Sequence, residues 1–537
     1  MKKIVVFVLM IPFFGCKNNG QKTEDNLSDI SEKAFRTFKV EDSNYIDLTT
    51  LWAPFQDQLS AFSEEKYNAL KPLIMNQDIP TLQRHVQNRK LSYEALVTFY
   101  LYRINLLDRE NQKSLNSVIS LNKSIIEEAR EKDKNRPKNL SALSLYGMPI
   151  LLKDNINASG MVTTAGAVAL LKNTTEDSFL SQQLKSSGAL ILGKANLSEW
   201  AYFFCGDCPS GYSAVGGQTF NPYGRKTLDT GGSSSGSAVA VAANFCAAAI
   251  GSETSGSILS PASQNAGVGL KPTIGTISRS GIIPISSTLD TAGPITKNII
   301  DNALVYNAII GYDANDVKSK STSKIDLKYV LNTSFQGKRF GAIKELLKDS
   351  LYSKSIELLK KQGAEVITMT PENKNLPDFL RLLNLDMKAD LPLYFQNQAH
   401  KNIQFNSVQS IIDFNNLDSI HRAPYGQKLF EGIVADSATV SEFEAIKTTL
   451  KTNGRAYFDT VMTAQKLDGI LSINNYHAGY AAVAEYPALT VPMGLNKDNA
   501  PMGLTFIAKP YQETQLYQWG YHFEKIAKKR PFPNQYD

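Results

Sequence analysis

Residues 229–261 read DTGGSSSGSAVAVAANFCAAAIGSETSGSILSP, and this stretch decides the fold. A Gly-Ser cluster, 231–237, opens it; a small-residue apolar run, 238–250, follows; a second Gly-Ser turn, 251–257, closes it. Large side chains are nearly absent, so two backbone turns can approach each other and a ligand closely. The apolar run is expected to form a buried helix and strand that fix the separation of the turns. Ser233 and Ser257, 24 positions apart, then come together, one from each turn.

A serine hydroxyl is a poor nucleophile until a base takes its proton. The stretch 145–155, LYGMPILLKDN, offers one: a short apolar run ends in Lys153. At the end of a buried strand the amine would be desolvated and its pKa lowered. The plainer alternative is a surface lysine whose stem snorkels along the strand end. Lys153, Ser233 and Ser257 together make a hydrolytic set in which Ser233 relays the proton. The backbone N–H groups of Thr254, Ser255, Gly256 and Ser257, aimed at one point, would form an oxyanion hole, where one donor is worth about 3 kcal/mol. A rival reading takes Gly232-Ser233-Ser234-Ser235-Gly236 as a G-x-S-x-G elbow with Ser234 as nucleophile. That elbow needs a late histidine, and His477 is the best placed of the five in the chain. In so Gly/Ser-dense a stretch the match is cheap. Phosphate binding is weaker still, because no G-K-[ST] follows the cluster.

The remaining composition narrows the class. With 42% apolar and 20% charged residues the chain is that of an ordinary globular protein. The net charge of +6 is not gathered into basic blocks, so no nucleic-acid partner is expected. Lys2 and Lys3 precede the apolar run 4–14, then Gly15 and Cys16, the pattern of a secretory signal too short to span a bilayer. A small residue before Cys16 resembles a lipobox, loosely, since Phe13 and Phe14 depart from it. We therefore expect a signal peptide over 1–15 and lipidation at Cys16. The body would be an exported bacterial lipoprotein, in the periplasm or at the cell surface, touching the membrane only through that anchor. Residues 16–66 are expected to be a tether and N-terminal approach, flexible over 17–43. Cys205-Gly-Asp-Cys208 admits a disulfide, free thiols or half a metal site; no second CxxC or nearby His pair completes a metal site.

Along the chain, Ser92 is expected to cap a helix, 115–121 to form a strand and 123–133 a helix. A strand over 189–193 is followed by an expected helix start over 194–200. Residues 267–272 and 279–284 read as turns. Alternation of strand, helix and strand over 339–369 marks a sheet with helices on its faces. Residues 377–466 are mostly helical and are expected to shape the pocket. Strands near 467–473, 488–493 and 504–508 and a helix over 513–528 close the chain. The strands are split between both ends, which favours one large domain over 67–537: an α/β/α sandwich with a mixed central β-sheet and a mostly helical insertion.

These motifs, taken in order, resemble the amidase signature family. The likeness is carried by 231–237 and 251–258, by Gly147-Met148-Pro149 through Lys153, by Lys194-Ala195-Asn196, by 217–223 and Asp290 to Pro294, by Met387-Lys388-Ala389-Asp390-Leu391, and by 486–494. The resemblance implies a triad of Ser257 as nucleophile, Ser233 as bridging serine behind a cis peptide bond, and Lys153 as base. It implies acylation of Ser257, release of ammonia or an amine, and hydrolysis of the ester, without metal or organic cofactor. Within the family the chain resembles the peptide amidases, which implies a peptide C-terminal amide or another small neutral amide as substrate. Two positions depart from many members and mark the pocket: Ser255 stands in place of Gly or Asp, and Leu259 in place of Arg. The alternatives are a glutaminase subunit of a tRNA amidotransferase, which the signal sequence argues against, and a non-catalytic tethered binding protein on the same fold.

Overall fold

The computed structural model describes residues 38–109, 111–372 and 374–537. The signal-like segment and Cys16 lie outside the described residues. The first strands of the main sheet are β1 (Val118–Leu121), β2 (Pro149–Lys153) and β3 (Leu190–Ala195). A separate hairpin joins β4 (Tyr212–Ser213) and β5 (Gly217–Gln218). The main sheet continues with β6 (Ala248–Glu253), β7 (Val268–Lys271), β8 (Thr291–Thr296), β9 (Arg339–Ile343) and β10 (Glu365–Met369). It ends with β11 (Gly469–Ile473), β12 (Ala488–Leu495) and β13 (Pro501–Ile507). The 11-stranded order is β1-β3-β2-β6-β8-β7-β12-β13-β11-β9-β10. β2 runs parallel to β3 and β6, and β9 runs parallel to β10 and β11, while β6, β8, β7, β12 and β13 pair antiparallel. This is the mixed central sheet with flanking helices that the sequence implies.

Strand β12 shows how the layers are made. Successive side chains of a strand point to opposite faces. Leu489 and Val491 meet Gly520 of helix Glu513–Ala527, beside Ile299. Thr490, between them, bonds Ser263 of helix Leu259–Gln264 at 2.8 Å. One face of the strand therefore carries the C-terminal helix and the other the helix that follows Ser257.

Two central strands correct the sequence reading. β7 and β8 lie in Gly/Pro-rich segments; 267–272 reads as turns and 290–294 as the approach to a helix. Here glycine serves close packing. A Cβ on Gly293 would lie 2.1 Å from the Leu270 carbonyl oxygen, and one on Gly269 would lie 2.6 Å from Ala262 Cβ. The helix expected from 194 is also absent. Lys194 and Ala195 end β3, and a short turn at Glu199–Tyr202 follows, with Trp200 and Ala201 left-handed at φ 50° and 55°.

Ser92 caps helix Tyr93–Leu107 through the Ala95 N–H, as expected. The N-terminal approach is docked from residue 38: Gln218 N–H donates to the Glu41 carbonyl at 2.7 Å, and Ser43 Oγ to Val215 O at 2.5 Å. Of the tether expected to be flexible over 17–43, the described part, 38–43, is therefore docked, and the rest lies outside the described residues. Five helices between Phe379 and Ala464 gather a second apolar cluster, in which Leu382, Met387 and Phe430 pack with Trp200 and Phe204. Cys205 and Cys208 are joined by a disulfide and sit in that cluster. Among the described residues no helix is long and apolar enough to cross a membrane.

Candidate active site

The parallel strands β2 and β6 lie side by side, with Leu152 opposite Ile250, and their C-terminal ends carry the polar groups. In open α/β sheets ligands gather at such ends. Lys153 closes β2 and is fully buried. Its Nζ donates to Ser233 Oγ at 2.7 Å, to Ser252 Oγ at 2.9 Å and to the Ser252 carbonyl at 3.1 Å. Burial lowers its pKa to about 7, while the charges of Asp290 and Glu253 oppose the shift. A lysine so placed is not a snorkelling surface residue, and its neutral amine is populated at neutral pH.

The 238–250 run folds as expected into helix Ser235–Ala242, buried along its whole length, and strand β6. The helix approaches the sheet closely because Gly236 lacks a Cβ, which would otherwise lie 2.4 Å from Ser117 O. Just before it, the Gly232–Ser233 peptide bond is cis. The Ser233 carbonyl accepts from Ser198 N–H at 3.0 Å, and Ser234 N–H donates to the Ser257 carbonyl at 3.1 Å. The second of these bonds ties the two Gly-Ser turns directly together.

Ser257 is half-buried and precedes helix Leu259–Gln264. Glu253, at the end of β6, reaches across this turn: its Oε2 accepts from Ile258 N–H at 2.7 Å and Leu259 N–H at 3.0 Å. Thr254 Oγ1 donates to Asp290 at 2.5 Å. Gly256 takes φ +90°, which a side chain would disfavour. Among the described residues, the N–H groups of Ser255, Gly256 and Ser257 donate to no protein acceptor. The Thr254 N–H likewise has no protein acceptor among the described residues, and four successive open donors beside a half-buried serine suit a developing oxyanion.

The rival elbow does not assemble. Ser234 Oγ donates to the Ser252 carbonyl at 3.1 Å and accepts from Ser252 N–H at 3.2 Å, so its hydroxyl is spent on the strand. His477 bonds Ser472 Oγ at 2.6 Å instead, and burial lowers its pKa to about 4.

A cavity of about 280 Å³ adjoins the site. Asn155, Ser252 and Thr254 line it, as do Ile283 and, from helix Phe379–Asn397, Asp390. It reaches the buried lysine through Ser252; Lys153 and Ser257 are not part of its wall. Neither pocket residue expected from the sequence lines it. Leu259 is 1% exposed and packs with Phe458, Ala478 and Tyr486, where a large apolar side chain fills space. Ser255 is half-buried beside Gly479. Sequence reasoning did not single out Ser252, Glu253 or Asn155. The first two lie inside the second Gly-Ser turn, and Asn155 lies two residues beyond the lysine, so position alone could have flagged them.

Comparison with known proteins agrees with this geometry. The amidase family model matches residues 95–472. The chain is similar to the structure of an amidase family protein from Bacillus anthracis, with 37% identity, TM-score 0.86, and 92% of this chain and 99% of that one covered. It is similar to the native peptide amidase from Stenotrophomonas maltophilia, with 37% identity, TM-score 0.80, and 85% and 98% covered. An Arabidopsis thaliana protein named "Probable amidase" is 33% identical, covering 83% of this chain and 89% of its own. A glutamyl-tRNA(Gln) amidotransferase subunit from Staphylococcus aureus is 28% identical over 77% of this chain and 90% of its own. The chain therefore belongs to the amidase signature family, and it is a hydrolase acting on amide C–N bonds.

Proposed function

We propose that this amidase works through Ser257, Ser233 and Lys153 and removes the amide nitrogen from peptide C-terminal amides or other small neutral amides. The observation that carries the reading is the 2.7 Å bond from the fully buried Lys153 Nζ to Ser233 Oγ. Ser257 Oγ attacks the substrate carbonyl carbon and gives its proton to Ser233 Oγ, whose own proton passes to the neutral Lys153 amine. The negative charge on the carbonyl oxygen is met by the open N–H groups at Ser255, Gly256 and Ser257, with Thr254 beside them. The tetrahedral species collapses, the C–N bond breaks, and the relayed proton goes to the leaving nitrogen, which departs as ammonia or an amine. Water then attacks the Ser257 ester through the same relay run in reverse, releasing the acid and restoring the hydroxyl.

The Ser252 carbonyl accepts only, so it holds one lysine N–H, and Ser252 Oγ is positioned to hold a second. The amine's lone pair is left toward Ser233. Peptide amides are favoured over the glutaminase reading by the 37% identity to a peptide amidase, compared with 28% to the tRNA amidotransferase relative. Ammonia release from acetyl-dipeptide amides, fatty amides, aryl amides and glutamine tests this. Peptide amides are expected to be turned over without partner proteins, and Ser257→Ala to lower that turnover by at least about 10³-fold. Turnover of glutamine alone would favour the glutaminase reading.

We also propose export and lipid anchoring at Cys16, supported by the charged, apolar and small-residue pattern that precedes it. Cys16→Ala is expected to leave the membrane fraction and to lose palmitate labelling; persistent labelling would overturn the anchor.

A further inference from the structure

The cavity beside Ser252 is lopsided in its charged and hydrogen-bonding groups. Three carboxylates line it, and two are already spent. Asp290 accepts from Thr254 Oγ1, Ile285 N–H and Ser286 N–H. Asp316 is held by Arg279 through both oxygens and by Lys318 N–H. Arg279, the one cationic residue of the lining, is thereby occupied, and it donates as well to the Ser287 carbonyl.

Asp390 differs. Its Oδ2 accepts from Ser287 N–H at 2.6 Å, with the Ser287 hydroxyl beside it, and among the described residues no cation pairs with it. Burial, together with the charges of Asp386 one helical turn before it and of Asp290, pushes its carboxyl up to about 6. Around it the wall is apolar, with Ile283, Ile285 and Leu393. The cavity thus offers a carboxylate without an ion-pair partner and hydrocarbon surface, and its one cation, Arg279, is bonded to Asp316 and feels Asp390 only at longer range.

We propose that this cavity takes a cationic group on the acyl part of the substrate, an ammonium or guanidinium on a hydrocarbon stem, with Asp390 as the specificity residue. The inference rests on the peptide-amide reading above and names its substrate class: peptide amides carrying a basic residue within the last two positions. A half-buried carboxylate without an ion-pair partner is costly. An ammonium brings three donors and a guanidinium five, with no acceptor to clash, and the stem covers the isoleucines. A neutral side chain of the same shape fills the space but brings Asp390 no ion-pair partner, which is the stronger form of discrimination.

The test compares kcat/KM for acetyl-alanyl-lysinamide against acetyl-alanyl-norleucinamide, and for acetyl-lysyl-alaninamide against acetyl-norleucyl-alaninamide, by ammonia release. In one pair or both the lysine peptide is expected to be better by about tenfold, a size set by a partly screened ion pair. In Asp390→Asn that ratio is expected to fall to within about twofold of one, and in Asp390→Glu to persist. Raising the salt concentration is expected to shrink the wild-type ratio. Ratios near one in both wild-type pairs, with all four peptides hydrolysed, would overturn the inference and leave the peptide-amide reading standing. A wild-type preference unchanged in folded Asp390→Asn would overturn the role of Asp390. Hydrolysis of none of the four would overturn the peptide-amide reading and this inference with it.

Discussion

The strand ends that hold Lys153 and the helical segment that covers the cavity are built on opposite plans. Around Lys153 the polar groups are fully buried and bonded to one another, in a matrix of Gly, Ala and Ser that lets backbones touch. In the segment from Phe379 to Ala464 the helices are amphipathic and carry exposed apolar residues such as Leu380, Leu393 and Val440. The first region fixes distances to a few tenths of an ångström, as proton transfer requires. The second supplies one wall of a cavity and can change its side chains without moving the reacting groups. Chemistry is therefore expected to be sensitive to single atoms in the first region, and substrate preference to side-chain size and charge in the second.

The contrast can be broken at its strong end first. Ser257→Ala is expected to lower kcat/KM by at least about 10³-fold while the protein stays folded, the residue of activity coming from the hole and from binding. Lys153→Ala should lose about as much, because no other group beside Ser233 can accept its proton. The same lysine sets a pH dependence. Its protonated form cannot act as a base, so wild-type kcat/KM should fall as pH drops through about 7 and level off above it, and the residual activity of Lys153→Ala should lack that inflection. Glu253→Ala should cost about 10²-fold, mainly in kcat, since the Ile258 and Leu259 N–H groups lose their acceptor and the Ser257 turn loosens.

Gly293→Ala tests the close packing by stability. A Cβ there meets the Leu270 carbonyl, and a loss of about 2 kcal/mol should appear as a lowered denaturant midpoint. Leu393→Ala, in the cavity wall, is the mildest: KM is expected to change a few-fold and kcat little. A Leu393→Ala enzyme that lost kcat as heavily as Glu253→Ala would erase the distinction between the two regions.

The sequence was most legible where small residues and hydroxyls were dense. The helix and strand between the Gly-Ser turns followed from the pattern of 229–261, whereas the pattern of 145–155 left Lys153 open between a buried base and a snorkelling surface residue, and only the resemblance to the amidase signature family decided for the base beside Ser233. What escaped notice had a physical cause. Gly269 read as a turn residue and Gly293 and Pro294 as the approach to a helix, yet they sit inside β7 and β8, where close neighbours leave no room for a Cβ on either glycine. Trp200 and Ala201 adopt left-handed conformations that no periodicity announces. Leu259 was expected in the pocket because it follows the nucleophile, but the turn of its helix carries it into the core. Asp390 stood in a motif quoted for its likeness alone; only the cavity shows that its carboxylate lines open space and, among the described residues, has no ion-pair partner.

The central claim is that Ser257, not Ser234, is the group acylated. The direct measurement is to treat the folded enzyme with a fluorophosphonate probe and map the adduct by mass spectrometry of the peptides spanning both turns. The account predicts one adduct, on Ser257, absent from Ser257→Ala and strongly slowed in Lys153→Ala. An adduct on Ser234, or labelling that survives Ser257→Ala unchanged, would contradict it.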